Sequence, residues 1–129
     1  MNIWDTHIWD KDKRDPVPFA PGRLNMKLLL HTCCAPCSVY CIKSLREEGI
    51  EPTVYWFNPN IHPYMEYKAR RDTLKEYTES INVEAIFEEN YGLKEFCKNV
   101  IDDLENRCAK YCYRVRLEQT AQYAKEHRI

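Results

Sequence analysis

Three of the seven cysteines fall within five residues, in His31-Thr32-Cys33-Cys34-Ala35-Pro36-Cys37-Ser38. A thiolate is both a nucleophile and a metal ligand. A second pair, Cys108 and Cys112, stands four residues apart in Arg107-Cys108-Ala109-Lys110-Tyr111-Cys112-Tyr113. On a helix, positions i and i+4 share a face. Two thiolates on a helix face, opposite two adjacent thiolates on a turn, bring four sulfurs to one point. Such a set suits Zn²⁺ or an iron–sulfur cluster, and spacing alone does not separate the two. The inert alternative is four buried cysteines, but adjacent Cys33 and Cys34 on a turn have no obvious packing use. Cys34-Ala35-Pro36-Cys37 is also the pattern of a thioredoxin-like dithiol that cycles through a disulfide. That reading leaves Cys33, Cys108 and Cys112 unexplained. Cys41, one helical turn after Cys37, reads as core first and as an extra ligand second; Cys97 reads as a core residue.

The elements around these cysteines must place them. Leu28-Leu29-Leu30 reads as a short buried strand, about 27–31. A helix follows over about 38–48, with Val39, Ile42 and Leu45 on its apolar face and Gly49 as its stop. The cysteines therefore sit at a helix N-terminus, where free N–H groups and the macrodipole favour a thiolate. A second strand is expected over 53–58, rich in β-branched and aromatic residues. The turn Asn58-Pro59-Asn60-Ile61-His62-Pro63 follows, then a helix over 63–80 and a strand over 83–87. A third helix is expected over 91–104, and a fourth from near Arg107 to the end. Strands alternating with helices imply right-handed βαβ units and a parallel sheet. The expected fold is α/β with a small parallel sheet. The chain stops after a helix with no closing strand, which reads as the front part of a larger domain. Ligands bind beyond the carboxyl ends of such strands. Adjacent strands would put the cysteine turn and the turn holding Asn58, Asn60 and His62 on one rim.

Composition narrows the classes. The chain has 129 residues, 44% of them hydrophobic, and a formal net charge of −1. That length argues for one domain, and no global basic field announces nucleic acid. Local basic stretches exist: Lys68, Arg70, Arg71 and Lys75, then Arg107, Lys110, Arg114 and Arg116 with Tyr111, Tyr113 and Tyr123 interleaved. They suit a phosphate backbone with stacked bases, although such faces are usually just solvated. Residues 1–25, with Pro16, Pro18 and Pro21, read as an extension, and the body begins near Met26. No signal peptide or membrane span is evident in the sequence. An odd cysteine count with two adjacent residues fits a reducing cytoplasm better than a secreted disulfide scaffold. No P-loop, Gly-rich dinucleotide fingerprint, nucleophile elbow or Cys-x3-Cys-x2-Cys pattern occurs.

Taken together, the motifs resemble the QueH-type epoxyqueuosine reductases. The residues that carry the likeness are Leu28 to Ser38, Phe57-Asn58-Pro59-Asn60-Ile61-His62-Pro63-Tyr64, Glu66-Tyr67, Arg70, Arg107-Cys108, Cys112-Tyr113, Arg116-Leu117 and Thr120-Ala121. The resemblance covers about residues 26–127. It implies a Rossmann-like, HUP-type three-layer α/β domain and a cytoplasmic oxidoreductase that reduces the epoxide of epoxyqueuosine in tRNA to queuosine. It implies a [4Fe-4S] cluster on Cys33, Cys34, Cys108 and Cys112. A mononuclear metal, iron by expectation, would lie beside it, with Cys37 contributing. His62 or Tyr64 would donate the proton. Asn58, Asn60, Arg70, Arg71, Arg114 and Arg116 would hold the substrate tRNA, and an electron donor of unknown identity is required. Two departures stand out. The second pair in the family is commonly Cys-x2-Cys but here is Cys108-x3-Cys112, and relatives continue into another strand. Outside that resemblance, the remaining alternatives are the thioredoxin-like dithiol and a zinc-stabilised RNA-binding module.

Overall fold

The structure is a computed structural model and describes residues 26–129. The expected extension over residues 1–25 lies outside the described residues. The elements are β1 (Leu29–His31), α1 (Ala35–Glu47), β2 (Thr53–Trp56), α2 (Tyr64–Ser80), β3 (Ala85–Phe87), α3 (Leu93–Val100), a π-helical turn (Cys108–Cys112) and α4 (Tyr113–Glu126).

The three strands are parallel in the order β1-β2-β3, with Leu30 opposite Val54 and Tyr55 opposite Ile86. Side chains alternate across a strand, and β2 uses both faces. Val54 and Trp56 enter the core with Ala35 and Ile42 of α1 and Tyr67 and Leu74 of α2. Tyr55 points the other way and meets the Tyr123 ring of α4 at 4.8 Å. Helices α1 and α2 thus cover one face and α4 the other, the three-layer α/β arrangement expected. Trp56, Tyr55 and Leu74 are fully buried. Burial of each such apolar side chain contributes about 1.5–3 kcal/mol. The sheet is open, and its parallel order puts the turns after β1 and β2 on the same rim.

Helix α1 starts at Ala35, earlier than the expected 38. Pro36 is tolerated there because the first-turn N–H groups have no helical partner in any case. Cys37 therefore lies in the first helical turn, while Cys33 and Cys34 precede the helix. The buried face is Ala35, Ser38 and Ile42, and Val39 is exposed instead. Ser38 can be buried because its hydroxyl donates to the Ala35 carbonyl at 2.7 Å. Gly49, at φ 77°, ends the helix as expected. The Gly49 and Ile50 N–H groups then reach the Arg46 and Leu45 carbonyls, the usual role of a left-handed glycine after a helix.

Helix α3 ends at Val100, short of the expected 104. Ile101 and Leu104 are exposed rather than continuing an apolar stripe. The connection onward is held by Asp103, which takes Asn106 and Lys110 as partners. Gly92 precedes α3, and a Cβ there would lie 3.2 Å from Cβ of Pro59. The start of α3 thus packs closely on the turn that follows β2.

Candidate metal centre

The cysteine turn is fixed mainly from β2. The Thr32 N–H donates to the Tyr55 carbonyl at 3.0 Å. The Asn58 carboxamide donates to the Thr32 carbonyl at 3.0 Å, and the Trp56 indole N–H donates to the Cys33 carbonyl at 3.3 Å. His31 Nε2 bonds the Phe57 carbonyl at 2.9 Å. These bonds turn the chain sharply at Cys33 and Cys34 and deliver it into α1. The sulfurs are 3.8 Å apart between Cys33 and Cys34 and 3.0 Å apart between Cys34 and Cys37. All three lie within 4.8 Å of one another. Cys33 and Cys34 are half-buried and Cys37 is exposed, and all are free thiols. A disulfide, which the dithiol alternative would allow, is not formed by any of the seven cysteines.

Packing three thiols together divides their acidities. Burial and the neighbouring Cys34 raise the Cys33 pKa. Burial also pushes Cys34 up, but its hydrogen bond with the Cys37 thiol, the Cys37 backbone, Cys33 and the Arg70 charge outweigh that and leave its pKa lowered. Cys37 is pushed up to about 12, first by the same bond to Cys34 and then by burial. Of the three, Cys34 is therefore the thiol that gives up its proton most readily, and the thiolate is the form that binds a metal.

Cys108 and Cys112 occupy the π-helical turn, in which the Tyr113 N–H reaches the Cys108 carbonyl. Such turns recur at functional sites. Cys112 is buried, and burial, then the Cys108 sulfur, raises its pKa. Both cysteines lie outside the 4.8 Å group of Cys33, Cys34 and Cys37. The link between the two sets is Arg116. Its Nε donates to the Cys112 carbonyl at 2.8 Å, and its guanidinium lies 5.1 Å from the Tyr113 ring centre. Its charge acts on both Cys33 and Cys112. Arg116, Tyr113 and Leu117 face Cys33, Cys37 and Cys41 across a cavity of about 250 Å³. Soft sulfur donors beside a fixed cation suit a thiolate-bound metal or iron–sulfur cluster, whose net charge is negative.

Residues 28–129 match the family model described as epoxyqueuosine reductase QueH. The chain belongs to the QueH family. Proteins carrying the name Epoxyqueuosine reductase QueH align with it from several bacteria. That of Dehalococcoides mccartyi is 44% identical over 101 residues, covering 78% of this chain and 55% of the relative. That of Histophilus somni is 35% identical over 125 residues, covering 89% and 51%. That of Haemophilus influenzae is 34% identical over 128 residues, covering 91% and 51%. The chain spans about half the length of these curated relatives.

The other residues singled out for a QueH-type site are distributed as follows. Asn58 is fully buried, and its Oδ1 finds no partner among the described residues, as is true of Asn60 Oδ1. Asn58 braces the cysteine turn from below. His62 is half-buried between Tyr91 and Phe96, at ring distances of 4.9 and 4.6 Å. Both of its nitrogens are shielded from solvent without a hydrogen-bond partner among the described residues. Burial lowers its pKa, opposed in part by the Pro59 carbonyl. Tyr64 is exposed and meets Tyr91 edge-on at 5.3 Å. Arg70 pairs with Glu66 at 2.6 Å, Arg71 with Asp72 at 3.0 Å and Arg114 with Glu118 at 2.7 Å.

Two core expectations fail. Cys97 is exposed, because α3 buries only Val100 and half-buries Phe96. Cys41 is exposed and lines the cavity, one turn after Cys37 on the open side of α1. Sequence reasoning also missed Trp56 and Thr32 as parts of the site. Their signal was available in outline: a polar or indole donor at the end of one parallel strand faces the turn of the next.

No helix among the described residues is long and apolar enough to cross a membrane.

Proposed function

We propose that this chain holds an iron–sulfur cluster and reduces the epoxide of epoxyqueuosine in tRNA to queuosine. The observation that carries the reading is the convergence of three thiols at the strand rim, with Cys112 tied to the same cavity through Arg116. Cys33, Cys34, Cys108 and Cys112 are the proposed cluster ligands, and Cys37 the contributor to an adjacent mononuclear metal. Cys108 and Cys112 would complete the ligand set from the π-helical turn, across the cluster from the first pair. Residues 26–129 form the cysteine-bearing domain, and its setting would be the cytoplasm, where tRNA is available.

The reaction consumes two electrons and two protons, converts the epoxide to an alkene and releases the oxygen as water. When bound, the metals supply electrons one at a time and a Lewis acid for the oxygen; an external one-electron donor replenishes them. The chain's own residues orient and protonate. Tyr64, exposed at the start of α2 just after the turn that follows β2, is the proposed proton donor. His62, with both nitrogens shielded, is better placed to hold the turn. Arg70, Arg71 and Arg114 lie in ion pairs that are at least partly exposed. Such pairs are weak, so a phosphate can displace the carboxylate.

The test is incubation of the anaerobically reconstituted full chain with epoxyqueuosine tRNA and excess dithionite, followed by nucleoside mass analysis. Loss of one oxygen from the modified nucleoside is expected. An unchanged nucleoside from fully cluster-loaded protein contradicts the reading. A dithiol oxidoreductase is the second reading, favoured by the 3.0 Å separation of Cys34 and Cys37. It requires disulfide turnover that survives Cys108→Ala.

A further inference from the structure

We infer that Arg116 is a positioning residue whose guanidinium, held at the cysteine site by the Cys112 carbonyl and the Tyr113 ring, raises the reduction potential of the bound cluster. This rests on the cluster reading above.

Arginines of the two basic stretches differ in one respect. Arg70, Arg71 and Arg114 each pair with a carboxylate at 2.6–3.0 Å. Arg116 has no carboxylate within salt-bridge distance among the described residues. Its Nε is committed to the Cys112 carbonyl at 2.8 Å, and its planar group is backed by the Tyr113 ring. Both contacts fix its direction. It lines the cavity with Cys33 and Cys37, and it is half-buried, so solvent screens it less than a surface charge. A side chain reaching for the tRNA backbone would be expected to project outward. This one stands between the two cysteine sets.

A cluster held by thiolates carries negative charge, and reduction adds one more. Net charge and hydrogen bonding to the sulfurs are among the factors that set its potential. A fixed, uncompensated cation favours the more negative form. The guanidinium also cannot lose its proton near neutral pH, so the contribution is constant.

The experiment compares the wild-type chain with Arg116→Gln and Arg116→Lys, all reconstituted anaerobically. Midpoint potentials are read by spectroscopically monitored redox titration, and tRNA affinity by filter binding. Arg116→Gln should lower the equilibrium constant for one-electron reduction at least tenfold, about 59 mV for a one-electron couple. Arg116→Lys should recover part of that shift. An unchanged potential in loaded Arg116→Gln overturns the inference, whether or not tRNA affinity falls. If Arg116→Gln does not load, Arg116→Lys decides. It keeps a charge but loses the Nε bond to the Cys112 carbonyl and the planar contact with Tyr113 that fix its direction, so a lowered potential upholds the inference and an unchanged one overturns it. Wild-type protein that takes up no cluster instead defeats the proposed function, and this inference with it.

Discussion

The Asn58 carboxamide donates to the Thr32 carbonyl at 3.0 Å, and both residues are buried. This bond ties the turn after β2 to the residue immediately before Cys33. It makes the two strand ends one unit, so a change at Asn58 is felt at the sulfurs.

Asn58→Ala should destabilise the protein by about 1–3 kcal/mol, the cost of an unpaired buried acceptor. Urea unfolding measures it. The same variant should lose metal faster to a chelator than wild type, because the cysteine turn is no longer braced. Trp56→Phe keeps most of the ring but drops the bond to the Cys33 carbonyl. Its effect should be smaller, about 0.5–1.5 kcal/mol, whereas Trp56→Ala should cost about 3–5 kcal/mol.

Substitution of the cysteines should sort them into two groups. Cys33→Ala, Cys34→Ala, Cys108→Ala and Cys112→Ala should each abolish four-iron uptake. Cys97→Ser should take up iron as wild type does, since Cys97 is exposed on α3. Iron and sulfide analysis after anaerobic reconstitution checks this. Loss of uptake in Cys97→Ser would mean that the reconstitution reports folding rather than ligation.

Acid should destabilise the protein through His62. Burial lowers its folded pKa below the usual value, so the unfolded chain binds the proton more readily. Stability therefore rises with pH through the window between the lowered folded pKa and about 6.5, the unfolded value. Urea midpoints should fall as pH drops below about 6.5. The drop should be smaller in His62→Gln, which cannot take up a proton. An equal pH slope in the two proteins would contradict a lowered His62 pKa.

Much of the fold was legible because the strand–helix alternation and the turn residues were strong. Gly49 stopped α1 where expected, and the three strands paired in parallel. What misled was apolar periodicity without knowledge of what faces it. Val39, Cys97, Ile101 and Leu104 fit helical stripes, yet all are exposed. Buried Ser38 took the place of Val39 by satisfying its hydroxyl within its own helix. The site was legible as a set of cysteines and two turns on one rim. Its internal wiring was not, because the bonds from Asn58 and Trp56 span 26 and 23 residues of chain. Nor does spacing reveal the π-helical turn, since Cys108 and Cys112 also share a face in an α-helix. Arg116 was expected among the phosphate contacts; its place between the cysteine sets follows from the Cys112 carbonyl and the Tyr113 ring.

The most direct test of the central claim is metal analysis of the full chain after anaerobic iron–sulfur reconstitution, with absorption spectroscopy. The account predicts brown protein with about four irons and four sulfides per chain, as four thiolates around a cubane require. Folded protein that is colourless and binds one zinc, or binds no metal at all, would contradict it.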